Sequence, residues 1–479
     1  MNVVVVGGGL AGVTAALRLA DAGEQVTLVE ATPRLGGAAF SFARGELTID
    51  NGQHVFLRCC TAYRGFLDRI DATSSTTLQR RLDIPVIAGA DQDVVAPGTE
   101  ARLQRSALPV PAHLAAALLR YRVLSPLGRA RAVRGALALQ KLDPADPALD
   151  ADTLGGYLRR HGQDDATLAA LFDVVGTATL NLRADDASLA LAATVFRTGL
   201  LDQADAADIG HAVVPLGELH DDLAAAALQA AGVEVRRATK VRTVAPDGTI
   251  TLSARGRDEE TLHPDTVVLA VPHDQALHLA PFLPASIARL GAAPIVNVHV
   301  VFDRVVTEHD FAAGVGSAVQ WVFDRTASSG LAAITPSAQY LAVTVSAADV
   351  EIDEPVEALR PRFLDALAVL FPRSRPADVL DFFVTRERRA TFRAVAGTAA
   401  LRPGPRVEGA PGVVLAGAWT ATGWPDTMES AVRSGHAAAA DVLGADAGSR
   451  FAPRVTPGVS DPVGRLSVVR ARNQEGLPA

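Results

Sequence analysis

The sequence is poor in several residue types, and each scarcity excludes a class of protein. Only two of the 479 residues are cysteines, the neighbours Cys59 and Cys60, so we expect no disulfide framework and a reducing, cytoplasmic environment. No uninterrupted apolar run reaches the roughly 18 residues of a membrane-spanning helix. The first residues lack the basic stretch and the cleavage site of a signal peptide, so we expect none. Contact with a membrane is therefore expected from one side only.

Positive charge is also scarce. The 45 Lys and Arg residues are outnumbered by 53 Asp and Glu, and the net charge of -8 argues against a nucleic acid partner, because a polyanion needs a basic footprint. Apolar residues, in contrast, make up 49% of the chain, which is enough for a substantial core. A single core rarely grows beyond roughly 250–300 residues, so we expect two domains. No metal site is predicted.

The N-terminal residues carry a nucleotide-binding pattern. Val3–Val6 is typical of a buried parallel strand, and three glycines separate it from a helix predicted at Ala11–Ala22. The motif is Gly7-x-Gly9-x-x-Gly12. Gly7 allows a tight turn, Gly9 lets the backbone approach a pyrophosphate at the helix N-terminus, and Gly12 lets the helix pack on the strand. The predicted cofactor contacts in this turn are Gly7, Gly9, Leu10, Ala11 and Gly12.

An acidic residue at the end of the second predicted strand indicates which nucleotide binds. Glu30 closes the strand that begins at Gln25, where a carboxylate accepts a hydrogen bond from a ribose 2′-hydroxyl. The same charge repels a 2′-phosphate, which leaves FAD or NAD and excludes NADP. Arg34, Gly36 and Gly37 form a second glycine turn directly afterwards, and we add them to the predicted cofactor contacts.

The C-terminal part resembles the closing FAD motif of the amine oxidase and phytoene desaturase superfamily. The match comprises Leu415-Ala416-Gly417-Ala418-Trp419-Thr420, Pro425 and Thr427-Met428-Glu429-Ser430-Ala431-Val432-Arg433-Ser434-Gly435. The resemblance extends along nearly the whole chain. It implies non-covalent FAD, contacted by Gly417, Thr427 and Met428 and, at the adenine, by the backbone of Val241. Ala38 and Ala418 depart from the family, which usually has an arginine and an acid there.

Strand-and-turn units far apart in sequence indicate one nucleotide-binding domain built from discontinuous segments. The fold class we predict is α/β, a Rossmann-like, doubly wound FAD-binding domain with a mixed α+β substrate domain. Besides the N-terminal unit, the predicted elements are helices at 216–231 and 428–443 and strands at 233–237, 240–244, 249–254, 266–271 and 413–416. The predicted boundaries are 1–75, 211–285 and 401–444 for the FAD-binding domain, 76–210 and 286–400 for the substrate domain, and 445–479 for a disordered tail.

Four further stretches are similar to the hydroxysqualene dehydroxylases, also called squalene-associated FAD-dependent desaturases. They are Asp50-Asn51-Gly52-Gln53-His54, Ala178-Thr179-Leu180-Asn181, Gln320-Trp321-Val322-Phe323-Asp324-Arg325 and Arg386-Glu387-Arg388-Arg389-Ala390-Thr391-Phe392. The resemblance implies reductive removal of the allylic hydroxyl of hydroxysqualene to give squalene, a hopanoid precursor. It also implies an apolar triterpene substrate and upstream synthases of the squalene pathway as partners. No second GxGxxG offers a pyridine nucleotide its own site, so we expect an external electron donor.

Two pairs of side chains are candidates for this chemistry. Asp50 and His54 are the predicted catalytic residues, because an acid beside a histidine can orient its ring and assist loss of water. A lone histidine is otherwise most often structural. Trp321 and Phe323, which alternate on a predicted strand, are the predicted substrate contacts. That alternation is typical of a core strand and also of one wall of an apolar tunnel, and the residues alone leave both interpretations open.

The stretch from Ala101 to Leu142 contains no Asp or Glu. Its eight basic residues are Arg102, Arg105, Arg120, Arg122, Arg129, Arg131, Arg134 and Lys141. Helices that combine basic and apolar surfaces are typical of contact with anionic lipid, and a solvated basic face is the alternative. An apolar substrate favours the lipid interpretation. We therefore predict a cytoplasmic protein that is peripheral to the cytoplasmic membrane.

Two other functions remain open at this point. A carotenoid-type desaturase or an amine oxidase would use the same frame, although Trp419 and Trp424 are the only local candidates for the aromatic pair of an amine oxidase. Ala38 and Ala418 also leave open a degenerate fold that binds a lipid without catalysis.

Overall fold

The computed structural model describes residues 1–254, 256 and 258–444, and the tail predicted at 445–479 lies outside the described residues. The strands are β1 (Asn2–Val6), β2 (Gln25–Val29), β3 (Ser41–Arg44), β4 (Leu47–Asp50), β5 (Val55–Leu57), β6 (Thr76–Leu78), β7 (Asp83–Ala88), β8 (Glu100–Gln104), β9 (Ile209–Ala212), β10 (Glu234–Arg236), β11 (Thr239–Val244), β12 (Ile250–Ala254), β13 (Glu260–Leu262), β14 (Thr266–Leu269), β15 (Ala293–Phe302), β16 (Phe311–Val315), β17 (Trp321–Asp324), β18 (Gln339–Ser346), β19 (Val379–Thr391) and β20 (Val413–Leu415).

Helices of very different length connect these strands. They are α1 (Leu10–Asp21), α2 (Thr61–Arg69), α3 (Ala115–Arg120), α4 (Pro126–Gln140), α5 (Leu154–Arg160), α6 (Asp165–Thr167), α7 (Asp173–Leu180), α8 (Leu189–Phe196), α9 (Ala224–Ala230), α10 (His273–Leu279), α11 (Leu331–Ile334), α12 (Val356–Leu370) and α13 (Met428–Val442). Across the described ranges, no helix combines the length and the apolar character needed to cross a membrane.

A five-stranded parallel sheet confirms the predicted α/β fold class. Its order is β10-β2-β1-β14-β20, so strands from three distant parts of the chain lie side by side. Val3 and Val5 face one hydrophobic cluster and Val4 and Val6 face another, because successive side chains of a strand point to opposite faces. Burial on both faces is what the all-apolar N-terminal run predicted. Every strand and helix predicted for this part of the fold is present within a few residues of its predicted bounds; the helix predicted at 216–231 is observed as a π-helical stretch, Glu218–Leu223, that continues directly into α9.

A second, seven-stranded sheet carries the rest of the core. Its order is β19-β15-β18-β17-β16-β7-β8, and its longest pairing joins β15 to β18 and β19 in antiparallel register. One face of this sheet packs on α12, whose buried Leu359, Phe363 and Leu367 meet Val298 and Val343. Two stretches of chain, 83–104 and 293–391, supply its strands. The assignment of these segments to a separate domain with the predicted boundaries stays a prediction.

The first and last helices are held together by a close backbone approach. A Cβ atom at Gly435 in α13 would lie 2.3 Å from the carbonyl oxygen of Ala11 in α1, so only glycine fits at this crossing. The two helices also share one hydrophobic cluster, through Val13 and Leu17 of α1 and Val432 of α13. Their N-termini consequently begin close to the same edge of the parallel sheet, where β1 and β20 end.

We predict that Gly435→Ala destabilises the protein by about 1–3 kcal/mol, because overpacking a tight contact forces backbone and side chains apart. The melting temperature should fall, and bound nucleotide should be lost with it. Gly404→Ala is the matched control, since no heavy atom lies within 4 Å of the added Cβ. Thermal unfolding followed by circular dichroism measures both, and an unchanged melting temperature for Gly435→Ala would contradict the packing argument.

Candidate active site

Two glycine turns form a cradle at the end of β1. The Gly36 N–H donates to the carbonyl oxygen of Gly8 at 2.9 Å, which places the second turn beside the first. A Cβ added to Gly9 would have a single neighbour within 4 Å, the Cα of Gly37 at 3.7 Å, so the space in front of Gly9 is open. No side chain caps α1 at Gly9, which leaves the N–H groups of its first turn facing that space. An open cradle at an uncapped helix N-terminus suits a pyrophosphate.

Glu30 lies at the edge of this cradle. Its two carboxylate oxygens accept hydrogen bonds from the N–H groups of Gly8 and Thr32, each at 2.7 Å. Each oxygen keeps lone-pair capacity for a ribose hydroxyl, as the sequence predicts. The Thr239 N–H donates to the Glu30 carbonyl oxygen at 2.9 Å, which brings β11 and its half-buried Val241 near this end of the cradle. The cradle, the acid and β11 therefore fit an extended dinucleotide.

Arg34 has a different set of partners from the predicted cofactor contact. Its guanidinium donates to the carbonyl oxygens of Leu35, at 3.2 Å, and Gly37, at 2.9 Å, and lies 3.5 Å over the ring of Phe40. Burial lowers the pKa of this guanidinium, while nearby carboxylates oppose that shift. Arg34 therefore holds the second glycine turn in shape, and a direct contact with the cofactor stays a prediction.

The start of α13 completes the cradle from the C-terminal side. Thr427 caps the helix, accepting a hydrogen bond from the Ser430 N–H at 3.3 Å, and Met428 is its first residue. Ser434 fixes Gly417, whose N–H donates to the serine Oγ at 2.8 Å. The helix N-terminus carries partial positive charge, which favours a reduced, negatively charged flavin ring in front of it.

Sequence reasoning missed the residue that shapes this last loop. Arg402 is buried and donates to carbonyl oxygens of Trp419 at 3.3 Å, Trp424 at 2.7 Å, Ala418 at 2.9 Å and also Thr420. Burial lowers its pKa to about 10. Nothing in the local sequence singles out Arg402, because its partners are backbone atoms that any residue would offer.

A buried carboxyl beside the start of α13 was also missed. Asp426 accepts the Phe392 N–H at 2.8 Å, and burial raises its pKa to about 6, against the opposing effect of the Arg402 guanidinium. Asp426 directly precedes Thr427, and this adjacency is the one feature of the sequence that could have marked it as part of the site.

Asp50 does not orient His54. One of its oxygens accepts from Ser41 Oγ at 2.6 Å and from the Leu216 N–H at 2.9 Å, and the other pairs with Arg325 Nη2 at 2.7 Å. Asp50 and Arg325 are both buried, so each neutralises the other away from water. The prediction that Asp50 acts on a neighbouring histidine missed this ion pair, because its cationic partner is 275 residues away in the chain.

His54 contacts its own turn. Its Nδ1 lies 3.1 Å from the carbonyl oxygen of Gly52, which can only accept, so the proton sits on Nδ1. Burial lowers the pKa of the imidazole and keeps it neutral. Gln53, Val55 and Leu57 line the large cavity described next, whereas His54 is not among its lining residues. A catalytic role for Asp50 and His54 therefore stays a prediction, and the observed contacts of the two side chains do not add support to it.

A large apolar cavity lies between the seven-stranded sheet and the helices α3, α4, α7 and α8. Trp321 and Phe323 of β17 line it together with Phe311, so the predicted aromatic wall faces a cavity; their contact with substrate stays a prediction. Four lining residues are polar, namely Gln53, Thr179, Thr344 and Ser346, and within the described chain none is charged. The apolar lining residues are Val55, Leu57, Leu82, Ile84, Leu103, Leu114, Ala117, Leu118, Ala136, Leu139, Leu171, Phe172, Val175, Ala178, Val195, Phe196, Leu200, Leu201, Ala207, Ile209, Phe311, Trp321 and Phe323.

Four of the eight basic side chains between Ala101 and Leu142 have partners within the protein. Arg102 pairs with Asp83 at 2.8 Å, Arg105 with Asp208 at 2.6 Å, and Arg131 with Asp164. Arg129 donates to backbone carbonyl oxygens of Leu119 and Leu124. The acids that pair with Arg102, Arg105 and Arg131 come from elsewhere in the chain, and the lipid interpretation of the segment stays a prediction. Four remain exposed without a carboxylate partner among the described residues, namely Arg120, Arg122, Arg134 and Lys141.

The cradle suits a dinucleotide, and the cavity suits an apolar ligand. Comparison with known proteins specifies the family. The model of the flavin containing amine oxidoreductases matches residues 10–443, and the chain belongs to this family. It is accordingly an FAD-dependent oxidoreductase, and the open cradle fits FAD as its cofactor.

Individual relatives cover nearly the full chain. Hydroxysqualene dehydroxylase of Sinorhizobium fredii is 30% identical over 91% of this chain and 97% of its own length. A probable zeta-carotene desaturase of Synechococcus elongatus is 26% identical over 93% and 99%. Among solved structures, a redesigned putrescine oxidase is similar in fold, with a TM-score of 0.68 and 18% identity over 92% of this chain and 98% of that one.

We predict that Gly9→Val abolishes FAD binding without unfolding the protein. The added side chain meets only Gly37 but fills the space in front of the helix N-terminus, where the pyrophosphate would lie. The purified variant should show a normal circular dichroism spectrum and release no FAD on acid treatment, whereas Gly404→Ala should release one FAD per chain. Full FAD content in Gly9→Val would show that the cofactor does not use this cradle.

Proposed function

We propose that the protein reductively removes the allylic hydroxyl of hydroxysqualene to give squalene. The observation that carries the proposal is the long cavity, whose walls are almost entirely hydrocarbon and whose few polar groups are neutral. The relatives named hydroxysqualene dehydroxylase support the same reaction. In it the carbon–oxygen bond breaks, the oxygen takes up a proton and leaves as water, and a hydride forms the new carbon–hydrogen bond.

FAD held in the cradle and reduced by an external donor of two electrons would supply that hydride. The chain's own contribution is to hold the substrate and to keep water away from the reacting carbon. The aromatic rings of Phe311, Trp321 and Phe323 lie 6.0–6.3 Å apart along one wall, and their faces and edges suit a developing allylic cation. Apolar walls also exclude the water that would recapture such a cation.

The cavity argues against an amine as substrate. An amine is cationic near neutral pH, and a buried charge needs a partner. No acidic side chain lines the cavity in the described part of the chain, and Asp50 is already paired with Arg325. A carotenoid is the stronger competitor, because it is equally apolar and desaturases are among the relatives.

We predict that the purified holoprotein, reduced under anaerobic conditions, converts hydroxysqualene to squalene. Phytoene, offered to the oxidised protein with an electron acceptor, and putrescine should give no product above the rate without protein. Product analysis by mass spectrometry measures all three. Desaturation of phytoene without formation of squalene would replace the proposal by the carotenoid alternative, and oxidation of putrescine would contradict the argument from the uncharged cavity.

We further propose that the surface of α3 and α4 docks on an anionic membrane. Leu108, which precedes α3, Leu119 of α3 and Leu127 of α4 are 52%, 70% and 61% exposed, far more than the leucines of the core. Arg120, Arg122, Arg134 and Lys141 are exposed beside them. On their inner sides the same two helices line the cavity through Ala117, Leu118, Ala136 and Leu139. A lipid-soluble substrate could thus pass from bilayer to cavity along these helices without crossing water.

The structure also changes which apolar residues support this docking. Tyr121, Val123 and Leu124 lie between the basic residues in the sequence, where we predicted an apolar surface, but they are buried in the core. The exposed leucines would insert among lipid chains, and the four free cations would attract anionic headgroups. At about 1 kcal/mol for each cation, the electrostatic part amounts to about 4 kcal/mol and is weakened by salt.

We predict that replacing Arg120, Arg122, Arg134 and Lys141 by Gln lowers binding to anionic vesicles at least about tenfold at low salt and leaves FAD bound. The control replaces Arg289, Arg360, Arg373 and Arg375, four exposed cations elsewhere, and should bind like the parent. Sedimentation with vesicles at low and high salt measures both. Equal loss in the two variants would show that only net charge matters, and no binding by the parent would show a solvated face.

A further inference from the structure

The side-chain nitrogen of Gln53 is buried and unsatisfied. Its Nε2 is shielded from solvent, and no hydrogen-bond acceptor among the described residues contacts it. An unsatisfied buried donor is costly, and native proteins keep few of them. Among the residues that line the apolar cavity in the described chain, Gln53 is the only one with such an atom. This donor therefore lies at the wall of a cavity that otherwise offers hydrocarbon.

Two of the other polar side chains that line the cavity already donate hydrogen bonds within the protein. Thr344 Oγ1 donates to Asn297 Oδ1 at 2.8 Å, and Thr179 Oγ1 donates to the Val175 carbonyl oxygen at 2.8 Å. Asn297 Nδ2 in turn donates to the carbonyl oxygen of Asn51 at 3.0 Å, two residues before Gln53. This chain of bonds connects Thr344 to the segment that carries Gln53. Thr344 Oγ1 keeps a lone pair, so this part of the cavity wall offers one donor and one acceptor.

We infer that Gln53 is the residue that recognises the hydroxyl group of the substrate. Its amide N–H donates to the hydroxyl oxygen, and Thr344 Oγ1 can accept a hydrogen bond from the hydroxyl group. The inference rests on the proposed function and deepens it, because it separates an allylic alcohol from a hydrocarbon of the same skeleton. It also fixes position: the oxygen-bearing carbon lies beside Gln53, and the hydrocarbon arm on each side of it extends along the apolar walls.

An oxygen atom of FAD is the other acceptor that could satisfy the amide. Gln53 shares its face with Val55 and Leu57, which line the apolar cavity, and this favours the substrate. The two possible acceptors predict different effects when Gln53 is replaced. A contact with the cofactor would change FAD binding or the flavin spectrum when Gln53 is replaced, whereas a contact with the substrate would change only the preference for an alcohol.

The test compares the affinities of hydroxysqualene and squalene for the oxidised holoprotein. Both ligands are delivered in cyclodextrin, and quenching of tryptophan fluorescence reports binding because Trp321 lines the cavity. The parent should bind the alcohol roughly 3–10 times more tightly, as expected for one neutral hydrogen bond. In Gln53→Leu the ratio should fall to about one, with FAD content and flavin spectrum unchanged. Gln53→Met, which is closer in length, should behave in the same way.

Thermal stability provides a readout that a structural role would not give. Removing an unsatisfied donor costs nothing, so the melting temperature of Gln53→Leu should equal or exceed that of the parent. Gln320→Leu is the matched control, because the Gln320 amide is satisfied by both backbone groups of Ser346, at 2.9 and 3.1 Å, and its melting temperature should fall.

Each outcome decides the role of Gln53. An unchanged ratio in Gln53→Leu, a parent that does not prefer the alcohol, or loss of FAD from both Gln53 variants would overturn the inference. If the parent prefers the alcohol through Gln53 but forms no squalene, the inference stands and the proposed reaction fails. If squalene forms and the ratio does not depend on Gln53, the reaction stands and the inference fails.

Discussion

The architecture depends on backbone segments that approach one another more closely than any side chain would permit. A Cβ at Gly12 would lie 1.9 Å from the Gly7 carbonyl oxygen, and one at Gly435 would lie 2.3 Å from that of Ala11. These contacts set α1 on β1 and α13 on α1, so two helix N-termini and a second glycine turn surround one open space. The shape of the cradle therefore depends on a few positions where only glycine leaves enough room. This shape is what allows a dinucleotide to bind.

The sequence predicts this half of the molecule well because its signals are local. A β-branched run, glycines at fixed spacing and an acid at the strand end each constrain their own neighbourhood, and all of these elements are observed. The site beyond the cradle depends on pairs distant in sequence. Arg325 forms an ion pair with Asp50, which therefore does not orient His54. Arg105 forms an ion pair with the buried Asp208, and Arg402 shapes a loop through hydrogen bonds to backbone carbonyls. No spacing rule encodes such partners.

Polarity is distributed in the cavity in a way that links fold to chemistry. Asp50 and Arg325 neutralise each other, and the cavity lining in the described chain presents hydrocarbon, aromatic rings and a few neutral dipoles. Such walls offer no carboxylate to pair with a stable ionic substrate, whereas their aromatic faces can stabilise a short-lived carbocation and their apolar character keeps water away from it. The exposed leucines on α3 and α4 extend the same apolar character to the surface, which suits a substrate that arrives from lipid.

The central claim is that electrons flow from the cofactor to an allylic alcohol, and a single anaerobic turnover tests it most directly. The holoprotein is reduced, freed of excess reductant and mixed with hydroxysqualene while the flavin absorbance is followed. The account predicts that the oxidised flavin spectrum returns and that one squalene forms for each FAD. A flavin that stays reduced with hydroxysqualene, in a protein whose oxidised form is reduced by phytoene, would contradict it.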